Sequence, residues 1–364
     1  MRIAHVVATF PPHIGGMGGV VFDEANALAK AGHDVTVFTM RYPGTSYSSQ
    51  AYAFKVIRLT PLIKAGDAGW VPQLFFKLKG FDLVHLHYPW YGGAEWVWLA
   101  SKLHAQKYVV TYHMQAAPIS LFKKIVKFKY DLFLTKAILR GAAKVLVVDR
   151  GVTSMDASEF FNPVDTTVFQ SRAVTASEVG LSEFENKKII LFVGNLMPVK
   201  RLDLAIEALT QMSDETVLVV VGGGYEEARY KKMVLDKNLG ERVRFVGRIE
   251  DKKKLAEYYN CSVVTVIPSD AESFSLVAIE SLASGTPVVA SDIPAIRARI
   301  DDGQDGFLFT PGSATSLAEK LEKILSLSSE DRKQMGERGR VKVVEKYGIE
   351  KHVAQLLNYY KAVI

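Results

Sequence analysis

The strongest constraint on this chain is a set of short, continuous aliphatic runs that occurs twice. "RIAHVVA" (2–8), "DVTVFT" (34–39), "DLVHLH" (82–87), "YVVTYH" (108–113) and "KVLVV" (144–148) make up the first set. "KIILFVG" (188–194), "ETVLVVVGGG" (215–224), "RVRFVG" (242–247), "SVVTVIP" (262–268) and "TPVVAS" (286–291) make up the second. These runs do not alternate apolar with polar residues, so both faces of each strand are covered. That is the pattern of parallel sheets sandwiched by helices. Helical patterns lie between the runs; residues 19–31 are amphipathic and end in "KAGH", with glycine where a helix stops. The fold class predicted is α/β, with two Rossmann-like doubly wound domains facing a cleft.

A length of 364 residues agrees with two domains. Residues 170–187 are polar and weakly periodic and read as a linker. The expected division is therefore 1–169, then 188–345, with a last amphipathic helix over 346–364. The single cysteine, Cys261, excludes an intrachain disulfide framework and fits a reducing compartment. It begins a buried strand and reads as a structural thiol. The apolar stretch at the N-terminus is too short for a secretion signal, and no run approaches the ~18 residues of a membrane span. A cytoplasmic location is expected. The net charge of +6 suits anionic partners (phosphates, acidic lipid or nucleic acid) without choosing among them.

In open parallel sheets ligands bind beyond the carboxyl ends of strands, and the motifs lie there. "FPPHIGGMGG" follows the first strand, and Gly15, Gly16, Gly18 and Gly19 permit close approach of a ligand to backbone amides. It is not a dinucleotide fingerprint, because the third glycine would fall on Val21; the bland alternative is a glycine turn. His113 ends the fourth strand, where a structural and a functional role are equally open. His85 and His87 share one face of a strand, which suggests a metal, but no third ligand is in sight. Lys200 and Arg201 precede an amphipathic helix and can meet a phosphate, or simply be solvated.

The stretch "AESFSLVAIESLASGTP" (271–287) carries Glu272 and Glu280, eight positions apart. Ser273, Phe274, Ser275 and Leu276 lie at the start of a helix ended by Gly285, where free amides form an anion site. A carboxylate repels phosphate, so each glutamate should grip neutral hydroxyls on either side of it. A ligand with hydroxyls, then phosphates, then hydroxyls is a nucleotide-sugar. The alternative is a capping glutamate followed by a helix-surface glutamate.

The block "ESFSLVAIE", with "PPHIGG", "FDLVHLH", "VVTYH", "FVGNLMPVKRLDLAIEAL" and "DGQDGFLFTPGS", resembles the E-x7-E glycosyltransferases of family 4, retaining enzymes of the GT-B fold. The resemblance implies that Glu272 and His113 contact the transferred sugar and that Lys200 neutralises the diphosphate. It also implies that Phe274 to Leu276 present amides to the diphosphate, that Glu280 binds the ribose, that Gly16 approaches a phosphate, and that Arg248 and Ile249 flank the base. The last helix would cross back to the first domain. The donor would be a UDP- or GDP-sugar and the acceptor a glycan, a lipid-linked or a small molecule. No D-x-D motif is present, and fixed cations and amides can stabilise the leaving group. No metal, cofactor or nucleic acid is therefore expected.

The chain departs from the family pattern in several places, among them a shorter stretch after Val148. Asn195 stands where arginine is common, Arg201 where glycine is usual, Ser273 and Ser275 where the loop has glycines, and Ala298 where glutamate is frequent. Arg201 could replace the missing cation. These departures keep two other readings open, a silent nucleotide- or glycan-binding protein and a nucleotide-sugar epimerase. Finally, residues 118–140 carry Lys123, Lys124, Lys127, Lys129, Lys136 and Arg140 against Asp131, a net of +5, interleaved with aromatics. That suggests peripheral contact with an anionic membrane; a core helix with a charged outer face is the alternative.

Overall fold

The computed structural model describes residues 1–12, 16–42, 47, 52–113, 128–149 and 156–364. The chain forms two compact units, Met1–Pro163 with Ile349–Ile364, and Val164–Gly348.

The first unit is built on β1 (Arg2–Val6), β2 (Asp34–Met40), β3 (Lys55–Leu59), β6 (Leu83–Tyr88), β7 (Tyr108–Tyr112), β8 (Lys144–Val147) and β9 (Ser158–Glu159). A small antiparallel hairpin, β4 (Ile63–Ala65) with β5 (Ala68–Trp70), stands apart. The main sheet is parallel, in the order β3-β2-β1-β6-β7-β8-β9. Period-2 alternation splits its core between two faces. Ala4, Val6, Leu86 and Val110 join Trp90, Val97 and Ile138 on one side. Ile3, Val7, Leu83 and Val109 pack on the other side with Val21 and Leu28, and with Val353 and Leu356. Those partners lie on helices Gly16–Lys30 and Ile349–Val363, so the last helix completes the first unit. Gly18 is required in the earlier helix, because a Cβ there would stand 2.6 Å from the Thr9 carbonyl oxygen.

The second unit holds β10 (Lys188–Val193), β11 (Thr216–Val221), β12 (Val243–Gly247), β13 (Val264–Ile267), β14 (Val288–Ser291) and β15 (Gly306–Phe309). They form a parallel sheet in the order β12-β11-β10-β13-β14-β15. Chain order reverses between β10 and β13, so the loops after these two strands meet at the switch point.

The structure departs from the sequence reading at several places. Residues 170–187 are not a free linker: Val179, Leu181 and Phe184 are buried in the second unit, and the Tyr258 hydroxyl donates to the Val179 carbonyl at 2.9 Å. The polar residues that suggested a linker alternate with these anchors. The division falls at Pro163/Val164, and the final helix begins at Ile349, after Gly348 ends helix Ser329–Tyr347. Strands β3 and β15 were also not anticipated, being short and lodged among turn residues.

Candidate functional site

The second unit gathers most of the predicted residues at its switch point. After β10 the chain passes Asn195, which is exposed, and enters a tight turn, Pro198–Lys200. After β13 it passes Ser269 and reaches Glu272. The Asp270 amide donates to the Val199 carbonyl at 2.9 Å, tying the two loops together. The Lys200 ammonium then meets Glu272 Oε1 at 2.7 Å, and the Ser269 hydroxyl donates to the same oxygen at 2.8 Å. Both ends of the ion pair are partly buried, with side-chain exposures of 26% and 10%.

Arg201 does not take the part of a free cation. Its guanidinium donates to both carboxylate oxygens of Asp203, and to Asp270 at 2.9 Å. Two acidic neighbours already neutralise it, so it is poorly placed to replace the missing arginine at 195. Its backbone is left-handed, with φ +50°.

Helix Leu276–Ala283 begins at the end of the same loop. Phe274 anchors it: the ring is buried, the Arg299 guanidinium lies 4.2 Å from its centroid, and Tyr347 meets it edge-on. Only the backbone of Phe274 is thus offered to a ligand. Ser275 has φ +68° and no side-chain cap to the helix, and its buried hydroxyl has no hydrogen-bond partner. The amides at this helix start are the ones where the sequence reading expects an anion. Ser273 and Leu276 are half-buried beside it. Gly336 and Gly339 let helix Ser329–Tyr347 press on the far end, since a Cβ at Gly336 would overlap the Gly285 carbonyl.

Glu280 lies one turn inside the helix and accepts a 3.0 Å hydrogen bond from the Tyr259 hydroxyl. Burial and the Glu280 carboxylate push the Tyr259 phenol well above its ordinary range, so it stays a donor. On the other side of β10, Gly222 and Gly224 pack against the backbone of Gly194 and Leu196, where any Cβ would collide. The same glycine loop meets Arg248, which follows β12. Arg248 is exposed and donates to the Gly223 carbonyl at 3.2 Å; Ile249 is half-buried. Tyr259, Ser269 and the acidic partners of Arg201 were not found from the sequence. The "GGG" after "VLVVV" was visible there, but its role needed the backbone contact.

In the first unit Gly16 opens its helix and is exposed, while the residues before it, 13–15, lie outside the described ones. His113 follows β7 and is 5% exposed. Its Nε2 lies 3.0 Å from His87 Nδ1, and burial, against the opposing Glu24 charge and an Asn162 hydrogen bond, holds its pKa down at about 4. It is therefore a neutral imidazole near pH 7. The sequence showed no third residue beside His85 and His87; in the structure His5, from β1, and Glu24, from helix Gly16–Lys30, converge on them. Of the basic segment 118–140, residues 118–127 lie outside the described ones; in the remainder Phe128 and Phe133 are 68% and 70% exposed.

Comparison with known proteins bears on the family and the fold. Residues 14–161 match the family model "Glycosyltransferase Family 4", and residues 175–342 match "Glycosyl transferases group 1". The N-acetyl-alpha-D-glucosaminyl L-malate synthase of Bacillus anthracis is 26% identical over 97% of this chain and 95% of its own. A sucrose-phosphate synthase structure from Thermosynechococcus elongatus is 27% identical, with a TM-score of 0.80 over 99% of this chain and 98% of that one. The Anabaena HepE structure in complex with UDP has the same fold, with a TM-score of 0.80 at 16% identity and full coverage of both chains.

Proposed function

Since the chain belongs to the family-4-like glycosyltransferases of the GT-B fold, we propose that it transfers a hexose, with retention of anomeric configuration, from a UDP- or GDP-sugar. The observation that carries this reading is the joining of Lys200, Glu272 and the start of helix Leu276–Ala283 at one switch point. The diphosphate would lie on the amides of residues 273–276 and against Lys200. Glu280, oriented by Tyr259, would hold the ribose, and Glu272 the transferred sugar. Charge accumulates on the diphosphate as the glycosidic bond breaks, and preorganised amides with a fixed ammonium stabilise it most at that moment. A divalent metal is not needed at the reacting atoms.

The acceptor is a glycan, a lipid-linked or a small molecule. The malate named in the Bacillus relative and the sucrose-phosphate named in the Thermosynechococcus structure favour a small polar one. A cytoplasmic enzyme with peripheral contact to anionic lipid through residues 118–140 completes the reading. The exposed Phe128 and Phe133 support that contact, and among the described residues no helix is long and apolar enough to cross a membrane. Flotation with anionic vesicles should carry the protein while neutral vesicles do not; equal binding to both, or to neither, argues against it.

A thermal-shift panel of nucleotide-sugars and free nucleotides tests the donor. A ligand at ~100 times its Kd stabilises by about 2.7 kcal/mol. At least one nucleoside diphosphate and its sugar should raise Tm; a panel with no responder contradicts the proposal.

A further inference from the structure

Five of the eight histidines in the chain lie in one buried cluster of the first unit. His5 on β1 pairs in register with His85 on β6, and His87 follows two residues later on the same face. Glu24 reaches them from helix Gly16–Lys30, and His352 from helix Ile349–Val363. His5, His85 and His87 are 0% exposed and Glu24 is 1% exposed.

The geometry of four donor atoms goes beyond a hydrogen-bonded core. Glu24 Oε2 lies 3.7 Å from His5 Nδ1, 3.6 Å from His87 Nε2 and 3.9 Å from His85 Nδ1. His5 Nδ1 and His87 Nε2 are 2.9 Å apart. All four atoms lie within 4.8 Å of one another. Donors about 2.0–2.1 Å from a tetrahedral zinc stand roughly 3.3–3.4 Å apart, inside this spread. The carboxylate oxygen aimed into the group has no hydrogen-bond partner, which is costly for a buried anion unless a cation faces it.

Three of the four groups have an outer atom held as a metal site requires, while His5 Nε2 has no hydrogen-bond partner. The far nitrogen of His85 meets the Thr111 hydroxyl at 2.7 Å, and that of His87 meets His113 at 3.0 Å. The other oxygen of Glu24 meets His352 Nε2 at 2.8 Å. Such partners fix ring orientation and ligand basicity.

We infer that His5, His85, His87 and Glu24 bind a zinc-class dication inside the first unit. Three imidazoles and one carboxylate suit zinc, with nickel or copper as competitors. Four protein ligands in a dry core leave no open position, so the metal would be structural, and His87 would carry it one hydrogen bond away from His113. Two contacts must change: the Tyr360 hydroxyl lies 2.6 Å from His85 Nδ1 and has to release that nitrogen, and the 2.9 Å hydrogen bond between His5 Nδ1 and His87 Nε2 has to open.

The test uses the full chain, stripped by chelation during refolding, reloaded with ZnCl₂ or CoCl₂ and passed through gel filtration. Elemental analysis should return about one zinc per chain, with a higher Tm than the stripped protein. Cobalt should give the intense visible bands of a tetrahedral site. Glu24→Gln should lose the metal, Tyr360→Phe should keep it, and the outlying His33→Ala is the control. Should Glu24→Gln fail to fold, the wild-type cobalt spectrum decides alone. Equal zinc in wild type and Glu24→Gln, whether none or one, overturns the inference, as does an octahedral cobalt spectrum. A core held only by imidazole hydrogen bonds would give the first of these results.

Discussion

Replacing Ser275 with glycine should make the protein more stable, and the reason is local. Ser275 sits at φ +68° and ψ 79°, in the left-handed region. A residue with a Cβ costs about 1–2 kcal/mol there. Its buried hydroxyl lacks a hydrogen-bond partner, and an unsatisfied hydroxyl costs about 1–3 kcal/mol. Glycine removes both costs and adds about 0.5–1 kcal/mol of unfolded-state entropy. The expected gain is about 1–4 kcal/mol. In a domain of ~150–250 residues each kcal/mol moves Tm by about 2–4 °C, so the second unit should melt roughly 2–16 °C higher. Ser275→Ala separates the contributions, because it deletes the hydroxyl and keeps the strained backbone. Thermal unfolding of both variants by circular dichroism gives the comparison. If Ser275→Gly gains no more than Ser275→Ala, or melts lower than wild type, the strain argument is wrong.

Glu280→Ala should weaken free nucleotide and donor together by roughly ten- to a hundredfold, as expected from losing charged hydrogen bonds of about 1.5–3 kcal/mol; calorimetry measures both. Glu272→Gln should lower kcat. It should leave free-nucleotide affinity unchanged or up to about fivefold tighter, because Lys200 loses a partly exposed partner contributing about 1 kcal/mol at most. Weaker nucleotide binding in this variant, measured by the same calorimetry, would count against the orientation of the ligand. Cys261 is pushed up to about 11 by burial, so alkylation should be slow at pH 7.5 and rise steeply only toward pH 11. The native state keeps a proton there that the unfolded chain releases near pH 9, so this thiol's stabilising contribution is intact below pH 9 and declines above it.

The parallel sheets were legible because their strands are buried on both faces, which leaves continuous apolar runs that no other element produces at that spacing. β15, "GFLF", was not legible, because four residues between "DGQD" and "TPG" do not distinguish a strand from a turn. The E-x7-E block was read from local chemistry: a helix start, and two carboxylates on either side of it. Arg201 was misjudged because its partners, Asp203 and Asp270, are set by a left-handed turn and by a distant loop. The histidine cluster was half visible. Period 2 put His85 and His87 on one face, but His5 joins them through strand pairing across about 80 residues, and Glu24 through helix packing. No spacing rule links those positions.

The central claim is that this chain breaks a sugar–diphosphate bond with Lys200, helix amides and Glu272, without a metal at the reacting atoms. It is tested most directly by nucleoside diphosphate release from UDP- and GDP-sugars, with polyol and sugar-phosphate acceptors, in the presence of EDTA. The account predicts acceptor-dependent release that EDTA does not diminish, at least a hundredfold slower in Lys200→Ala, with NMR showing the donor's anomeric configuration kept in the product. Release that EDTA abolishes and Mg²⁺ restores, or full activity in Lys200→Ala, would contradict it.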